Sequence, residues 1–551
     1  MEERSAAAPP GRLVPMKSER SLDVASFEVD AGTSRAKSSG AGGVLSQPAP
    51  PPAHGQSLNG QGVGAPGGSG APESKWGVLR HKHYRNVFCA SFVSNTGNWM
   101  EMVGIQMIVA KETGSLKMLG YFAAAQLLPI LVLGILGGVV ADRVNRKKLL
   151  VTTQAMLMVL AGLVAVAAYF SSSLPDITLL GKHGAASGLV SALLVLSVLQ
   201  GIVIAFNMPG WQVLTPRLVP KSELTRAINL NGIQFNAARV AGPALAGLIL
   251  WKVGTTPLFI INTVTFMAVL IAISTTPDAP APERDRTRST RHEIGEAAAF
   301  IFKGRGPLAV FAAMVMMSLL AAPLMRMMPL YVIDVYGIHE RDADWATGML
   351  ISVLGIGAVL GGLALRYLPS WYPKHHFIPV ALFGAGVSIT LFSLTTTLAW
   401  GYVAMFVVGA FWIWGFNPAW AAMQHLVSDG MRGRVLAIAN VAAFGVTAFG
   451  NVAAGWLGES VEAWLATGVA GEWAQTQAKA LGTHAAVGVL ALMLACAGVV
   501  MMIFRVPEVD GLPRIKGVRR SRLDFVEALL ARQHWPVNPE GAPEMQGREP
   551  V

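Results

Sequence analysis

About twelve stretches of this chain are apolar and long enough to cross a lipid bilayer as helices, which leaves little sequence for anything else. A spanning helix needs roughly 20 predominantly apolar residues. Stretches of that kind lie near residues 87–108, 118–140, 149–170, 189–209, 232–251, 255–276, 307–333, 345–367, 377–396, 400–423, 434–457 and 484–504. The composition of the 551-residue chain agrees: 53% is hydrophobic, only 14% is charged, and the mean hydropathy is +0.48. That is too apolar for a soluble globular protein. The expectation is an all-α membrane protein with twelve transmembrane helices.

A formal net charge of +11 would suggest a nucleic-acid partner in a soluble protein, but here the placement of the charges explains it better. Taken alternately, one set of loops carries Arg143, Arg146, Lys147, Lys148, Arg217, Lys221, Arg226, Arg284, Arg286, Arg288, Arg291, Lys303, Arg305, Arg366, Lys374, Arg432 and Arg434. The other set has only Lys111, Lys117, Lys182, Lys252, Arg341 and Lys479. Positive residues stay on the cytoplasmic side. The first set is expected there, and an even number of spans puts both termini there too, in a multi-pass protein of the inner (plasma) membrane.

The stretch from Thr276 to Gly306, with Pro277, Pro280 and Pro282 followed by alternating charges, splits the spans six and six. The resulting organisation is a disordered cytoplasmic tail over 1–75, rich in Pro, Gly, Ala and Ser, a six-helix bundle over 76–276, a cytoplasmic linker over 277–306, a second bundle over 307–504 and a cytoplasmic tail over 505–551. A basic run of Lys75, Arg80, His81, Lys82, His83 and Arg85 suits anionic lipid headgroups. In the last tail Leu523, Val526, Leu529 and Leu530 recur at helical spacing amid Arg519, Arg520 and Arg522, as in a helix lying on the membrane surface. Cys89 and Cys496 have no partner spacing for a metal or a redox loop, and burial as small apolar residues is expected of both.

The two halves repeat. A shift of 208 residues lays Leu218-Val219 on Leu426-Val427, Arg226 on Arg434, Gly242 on Gly450 and Gly247 on Gly455. Phe206-Asn207-Met-Pro209-Gly-Trp211 corresponds to Phe416-Asn417-Pro418-Ala-Trp420 with one residue deleted, and a shift of 224 lays Gly137-Gly138 on Gly361-Gly362. A transporter built from two related six-helix bundles should show such similarity, with its substrate between them near the bilayer midplane.

Between the second and third stretches runs Gly138-Val-Val-Ala-Asp142-Arg143-Val-Asn145-Arg146-Lys147-Lys148, a tight basic loop. It resembles the cytoplasmic loop between helices 2 and 3 of the major facilitator superfamily, with Asn145 where that pattern has its second Gly. Asn145 is expected to supply the positive φ that a reversing turn often needs. Ser94-Asn-Thr-Gly97-Asn98-Trp99-Met100-Glu101, Thr113-Gly-Ser115 and Gln126-Leu-Leu-Pro129 are similar to the subfamily that includes the enterobactin exporter and related multidrug exporters. So is Arg239-Val-Ala-Gly242-Pro243-Ala-Leu-Ala-Gly247, which also resembles the Gly-Pro motif of drug antiporters. The resemblance covers residues 80–505 approximately. It implies the major facilitator fold of two pseudo-symmetric six-helix bundles, and a cytoplasmic gate carried by Gly138, Asp142, Arg143, Arg146 and Lys147.

Ionisable residues inside a bilayer cost about 2.5–3.5 kcal/mol each on insertion scales and tend to face the bundle interior. Glu101, Arg239 and Arg326 qualify. Glu101 shares span 1 with Ser94, Asn95, Thr96 and Asn98, and the 224-residue shift lays it on Met325, beside Arg326. Spans 1 and 7 would then offer opposite charges at similar depth, leaving Glu101 either half of a static ion pair or a protonatable group in the cavity. Pro209 and Pro418 are expected to kink or terminate spans 4 and 10, so that Asn207 and Asn417 contact either substrate or freed backbone. Gly242, Pro243 and Gly247 read as helix packing, Arg239 as structural pairing and Asp334 as solvated. Met314, Met316, Met317, Met325, Met327 and Met328, like Trp412, Trp414 and Trp420, read as packing first.

No phosphate-binding loop supports an ATP motor, and no nucleophile, base and orienter constellation supports an enzyme. The reading is a secondary active transporter, a proton-coupled exporter of a siderophore-like or amphipathic small molecule by alternating access. A lipid or lysolipid flippase of the same fold, or a transporter-like sensor or scaffold without flux, are the alternatives. The expected partners are the small-molecule substrate, protons and the lipid bilayer. No cofactor, metal or nucleic acid is expected, and the chain is expected to act as a monomer.

Overall fold

Backbone polar groups find no water inside a bilayer, so each span must close its hydrogen bonds within itself as a helix. The computed structural model describes residues 77–141, 143–174, 188–277, 290–367, 373–469 and 471–504, with 506 and 509, and most of them are helical. The first half contains α1 (Lys82–Thr113), α2 (Leu116–Ala141), α3 (Arg146–Tyr169), α4 (Gly188–Leu218), α5 (Leu224–Val253) and α6 (Thr255–Ser274). A linker helix, α7 (Thr290–Lys303), leads into α8 (Arg305–Val335), α9 (Glu340–Ala364), α10 (Lys374–Ser393), α11 (Leu398–Leu426), α12 (Asp429–Ala466) and α13 (Ala478–Ile503). The expected tail over 1–75 lies outside the described residues, as does that over 505–551 with its surface helix around Leu523, apart from Val506 and Val509.

Eleven of these helices are long and apolar enough to cross a membrane. The twelfth span is α1, whose 32 residues exceed the length needed but whose central turns carry Asn95, Asn98, Glu101 and Gln106. Those polar groups lower its hydropathy because they face inward: α1 packs between α5 and α6. The outward faces are apolar, with Val132 and Leu136 on α2, Val159 and Val166 on α3, and Val264 and Ile271 on α6 all exposed. Cys89 and Cys496 are exposed as well, contrary to the expected burial. A thiol has no need of a protein interior where the surrounding solvent is hydrocarbon. Several helices outrun their apolar stretches, α12 from 434–457 to Asp429–Ala466, because the hydrogen-bonded ladder continues past the hydrocarbon layer.

Within the first half α1 packs on α5 and α6, α2 on α4, and α3 on α4 and α6. In the second, α9 packs on α11, α10 on α11 and α13, and α12 on α13. The halves meet along two seams, α2 with α12 and α5 with α9. The repeated glycines build both. An added Cβ on Gly242 would stand 2.8 Å from the Thr96 carbonyl on α1, and one on Gly247 2.9 Å from the Asp344 carbonyl on α9. Their repeat partners behave alike: Gly450 meets the Leu319 carbonyl on α8, in its own half, and Gly455 the Leu116 carbonyl on α2, in the other. Each pair thus has one glycine packed within its bundle and one across the seam. Gly137 against Ala205 and Gly361 against Ala410 are a third matched set.

Helix α8 is irregular. Met317–Ala321 and Tyr331–Val335 are π-helical, and the α-helical segment Pro323–Leu330 between them carries Arg326. Proline lacks the N–H that closes a helical turn and its ring crowds the carbonyl four residues back. Pro323 and Pro329 impose that defect twice, and the wider π turns beside them accommodate it.

Close backbone approach across the α5–α9 seam makes a direct prediction. A Cβ on Gly348 would lie 2.4 Å from the Pro243 carbonyl oxygen, whereas one on Gly138 would have nothing within 4 Å. Gly348→Val should therefore destabilise the purified protein by about 1–3 kcal/mol through overpacking, read as a lower thermal unfolding midpoint in detergent. Gly138→Ala should leave that midpoint unchanged or slightly raised.

Candidate functional site

The polar residues of α1 recur on one face: Ser91, Ser94, Asn95, Asn98, Glu101 and Gln106 all line a cavity of about 720 Å³. It runs from Tyr84, Thr215 and Leu218, at the end of the molecule bearing the basic loops, to Leu119 and Phe122 deeper in. Most of its wall comes from α1–α6, and the second half contributes Arg326 and Phe444. Beyond Leu119 the halves are pinned together. Lys111 Nζ lies 2.7 Å from Asp344 Oδ1 and Lys117 Nζ 3.0 Å from Glu459 Oε2, each pair crossing between halves. Ser115 Oγ also donates to Glu459, and Trp251 Nε1 donates to Asp342 Oδ1 at 3.1 Å.

Glu101 is buried and accepts from two neutral amides, Gln200 Nε2 on α4 at 2.6 Å and Asn262 Nδ2 on α6. Gly97 makes the second bond possible, since any side chain there would strike Asn262 and Thr265. Arg326 donates through Nη2 to Gln126 Oε1 on α2 at 3.0 Å. With its amide oxygen turned toward the guanidinium, Gln106 accepts from Arg326 Nη1 at 3.1 Å and donates to the Met325 carbonyl at 3.3 Å. That carbonyl is the one Pro329 leaves without a helical partner. Glu101 and Arg326 therefore share a cavity wall but make no ion pair, contrary to the opposed pair inferred from the repeat. Each charge is satisfied by amides at a different place, and the one-residue offset between Met325 and Arg326 already turns the arginine away from the repeat position.

Asn95 donates to Gln234 Oε1 at 3.5 Å, and Asn98 stands exposed in the cavity wall. Asn207 donates to Thr153 Oγ1 at 2.7 Å, so its bond is to a side chain on α3 rather than to freed backbone. Asn417 is exposed and outside the cavity lining. The deleted residue explains it: Asn207 precedes its proline by two positions and Asn417 by one, a difference of about 100° around a helix. Arg239 is buried, with Nε and Nη2 unbonded, and lies 5.6 Å from the Trp412 ring centre. It meets an aromatic face instead of an acid. Asp334, expected in solvent, is partly buried and accepts from Thr483 Oγ1 at 3.3 Å. Met314, Met317, Met325, Met327 and Met328 are buried in the core.

In the gate motif, Asp142 lies outside the described residues. Asn145 has φ −61°, not a positive value; it caps α3 by accepting from the Lys148 N–H at 3.1 Å. An N-cap needs an extended backbone and a short oxygen-bearing side chain, which Asn provides and Gly does not. Lys147 Nζ donates to the Thr276 carbonyl at 2.6 Å, Arg146 Nε to the Ala141 carbonyl at 3.3 Å, and Arg143 is exposed. The amides Gln106, Gln200 and Asn262 were not among the residues singled out from sequence, and Gln126 entered only as part of a family-like motif. Their signal was present, since an amide inside an apolar span needs a partner as surely as a charge does.

A twelve-span helical protein of two pseudo-symmetric halves, with a polar cavity in one half that the other completes, is a transporter of the major facilitator type. The chain belongs to the transmembrane secretion effector family, whose sequence pattern matches residues 73–533. It is 22% identical over 355 residues to a staphyloferrin A transporter of Staphylococcus aureus, covering 64% of this chain and 83% of that one. It is 23% identical to the multidrug efflux pump Tap of Mycolicibacterium fortuitum (68% and 88% covered) and 22% identical to an enterobactin exporter of Citrobacter koseri (64% and 80%). Among solved structures, a bacterial homolog of the human lysosomal transporter Spinster, inward-facing and occupied, matches with TM-score 0.58 at 15% identity, over 80% of this chain and 99% of that one. A D-xylose–proton symporter matches with TM-score 0.53 at 16% identity, over 79% and 99%.

The amide clamp on Arg326 can be tested by removing it in steps. Gln126→Leu should lower stability by about 1–3 kcal/mol, because the guanidinium loses a bond at bilayer depth. Adding Gln106→Leu should cost more than the two single changes combined, since the second substitution takes the last amide. Unfolding midpoints of the two single variants and the double variant measure both effects.

Proposed function

We propose that the protein is a secondary active exporter of a siderophore-like or amphipathic small molecule, working by alternating access and coupled to proton entry. One observation carries the reading: a polar cavity walled mainly by the first half and completed by Arg326 and Phe444 of the second, with cross-half ion pairs beyond its inner end and one carboxyl and one guanidinium in its lining. The names of the relatives support export of siderophores or drugs. On the positive-inside rule the basic end faces the cytoplasm, so the conformation is the one that loads from inside. Both termini then lie in the cytoplasm of a cell whose inner membrane the chain spans. Glu101 takes the proton, Asn95, Asn98 and Asn207 line the substrate's path, and the Asp142 loop closes the cytoplasmic side when the cavity turns outward. Gly242, Pro243 and Gly247 are the packing surface about which the halves rock. A proton entering down about 150 mV releases roughly 3.5 kcal/mol, enough for a gradient of a few hundred-fold.

Comparison of metabolites in cells with and without the protein identifies the substrate. In vesicles containing purified protein, substrate added under an imposed pH gradient should drive proton movement, followed with a trapped pH dye. Glu101→Gln should keep substrate binding measurable and abolish concentrative export; full proton-driven flux in that variant would show that another group carries the proton. Binding without any flux would favour a sensor, and movement of fluorescent phospholipid between leaflets a flippase. Asp142→Asn should impair transport while leaving binding within a few-fold.

Orientation is checked separately. In a background lacking Cys89 and Cys496, a cysteine at Gln475 should react with an impermeant thiol reagent in intact cells, and one at Thr287 should not. Labelling at Thr287 from outside would reverse the arrangement.

A further inference from the structure

Among the described residues, Arg326 is the one basic side chain in the cavity wall and Glu101 the one acid. Glu101 is occupied by Gln200 and Asn262. Arg326 meets only Gln126 and Gln106, which accept hydrogen bonds but carry no charge. A cation at this depth without a counter-charge is costly, and a guanidinium has more donors than two amide oxygens can take up. Its planar fork matches a carboxylate or another oxyanion through paired, charge-assisted bonds.

We propose that the cavity selects substrates bearing an anionic group, which Arg326 holds while the substrate's apolar body lies against Phe122 and Phe444. This rests on the reading of the cavity as the substrate site. It has an energetic corollary: an anion loaded from the cytoplasm leaves a cell whose interior is negative, so the membrane potential acts in the direction of export.

The test uses three probes with one body and different charges: 1-pyrenebutyrate, 1-pyrenebutanol and 1-pyrenebutylamine. Binding to the purified full-length protein is read by energy transfer from tryptophan, Trp211 being part of the cavity wall. The acid should bind about ten-fold more tightly than the alcohol, the gain expected of one charge-assisted pair, and the amine more weakly than either. Arg326→Gln should bring acid and alcohol within two-fold of each other, and Arg326→Lys should retain part of the preference. Equal affinity of acid and alcohol for the unaltered protein, or a preference that survives Arg326→Gln, overturns the proposal alone. Failure of all three to bind saturably overturns it together with the substrate-site reading. If Arg326→Gln does not fold, the comparison in the unaltered protein still decides.

Discussion

A polar atom placed in a bilayer must find its partner inside the protein, and in this chain that constraint organises the interior. Glu101 requires donors, and α4 and α6 are brought to α1 to deliver Gln200 and Asn262. Asn262 reaches it only because Gly97 leaves the space between the helices free. Arg326 requires acceptors, and it takes them from α1 and α2, in the half to which it does not belong. The cavity is what remains between these two sets of bonds. Its wall is polar because the groups that satisfy the buried charges also face the open space.

The two seams between halves follow from the same repeat that built the halves. Gly247 and Gly455 let backbones approach where no hydrophobic force separates protein from lipid, so the contact depends on shape. At the end of the seams beyond the cavity, charged contacts join the halves, as Lys111 with Asp344 and Lys117 with Glu459. Lys111 is partly exposed, and partly exposed ion pairs are weak enough to break and re-form. Close-packed glycines along the seam and partly exposed charge pairs at its mouth are compatible with the rocking motion proposed for the two bundles.

Much of this was legible in the sequence. Twelve apolar stretches, the internal shift of 208 residues and the basic loop at Asp142 are each patterns along one dimension, and together they define the fold and its two halves. The cavity-facing residues of α1 were legible too, because Ser94, Asn95, Asn98 and Glu101 fall on one side of a helix. Pairing was not. The repeat suggested that Glu101 and Arg326 face each other, yet pseudo-symmetry relates backbone positions, and a one-residue offset turns a side chain by about 100°. The same offset moved Asn417 out of the cavity wall that holds Asn207. Asn145 was misread because a loop residue can serve the following helix instead of the turn. Gln106, Gln200 and Asn262, the amides that bond the buried charges, went unnoticed because cost was assigned to charges and not to the partners they need.

The two π turns in α8 bear on what this helix can do. A π turn holds one more residue than an α turn over nearly the same rise, so each stores a rotation of about 100° that an ordinary helix would not have. The segment Pro323–Leu330 sits between two such stores. If one turn tightens to α-helical spacing while the other widens, the segment swivels about its own axis with both ends of α8 fixed in the bundle. Arg326 would sweep along the cavity wall like the pin of a lock cylinder, exchanging one set of acceptors for another without any helix leaving its place.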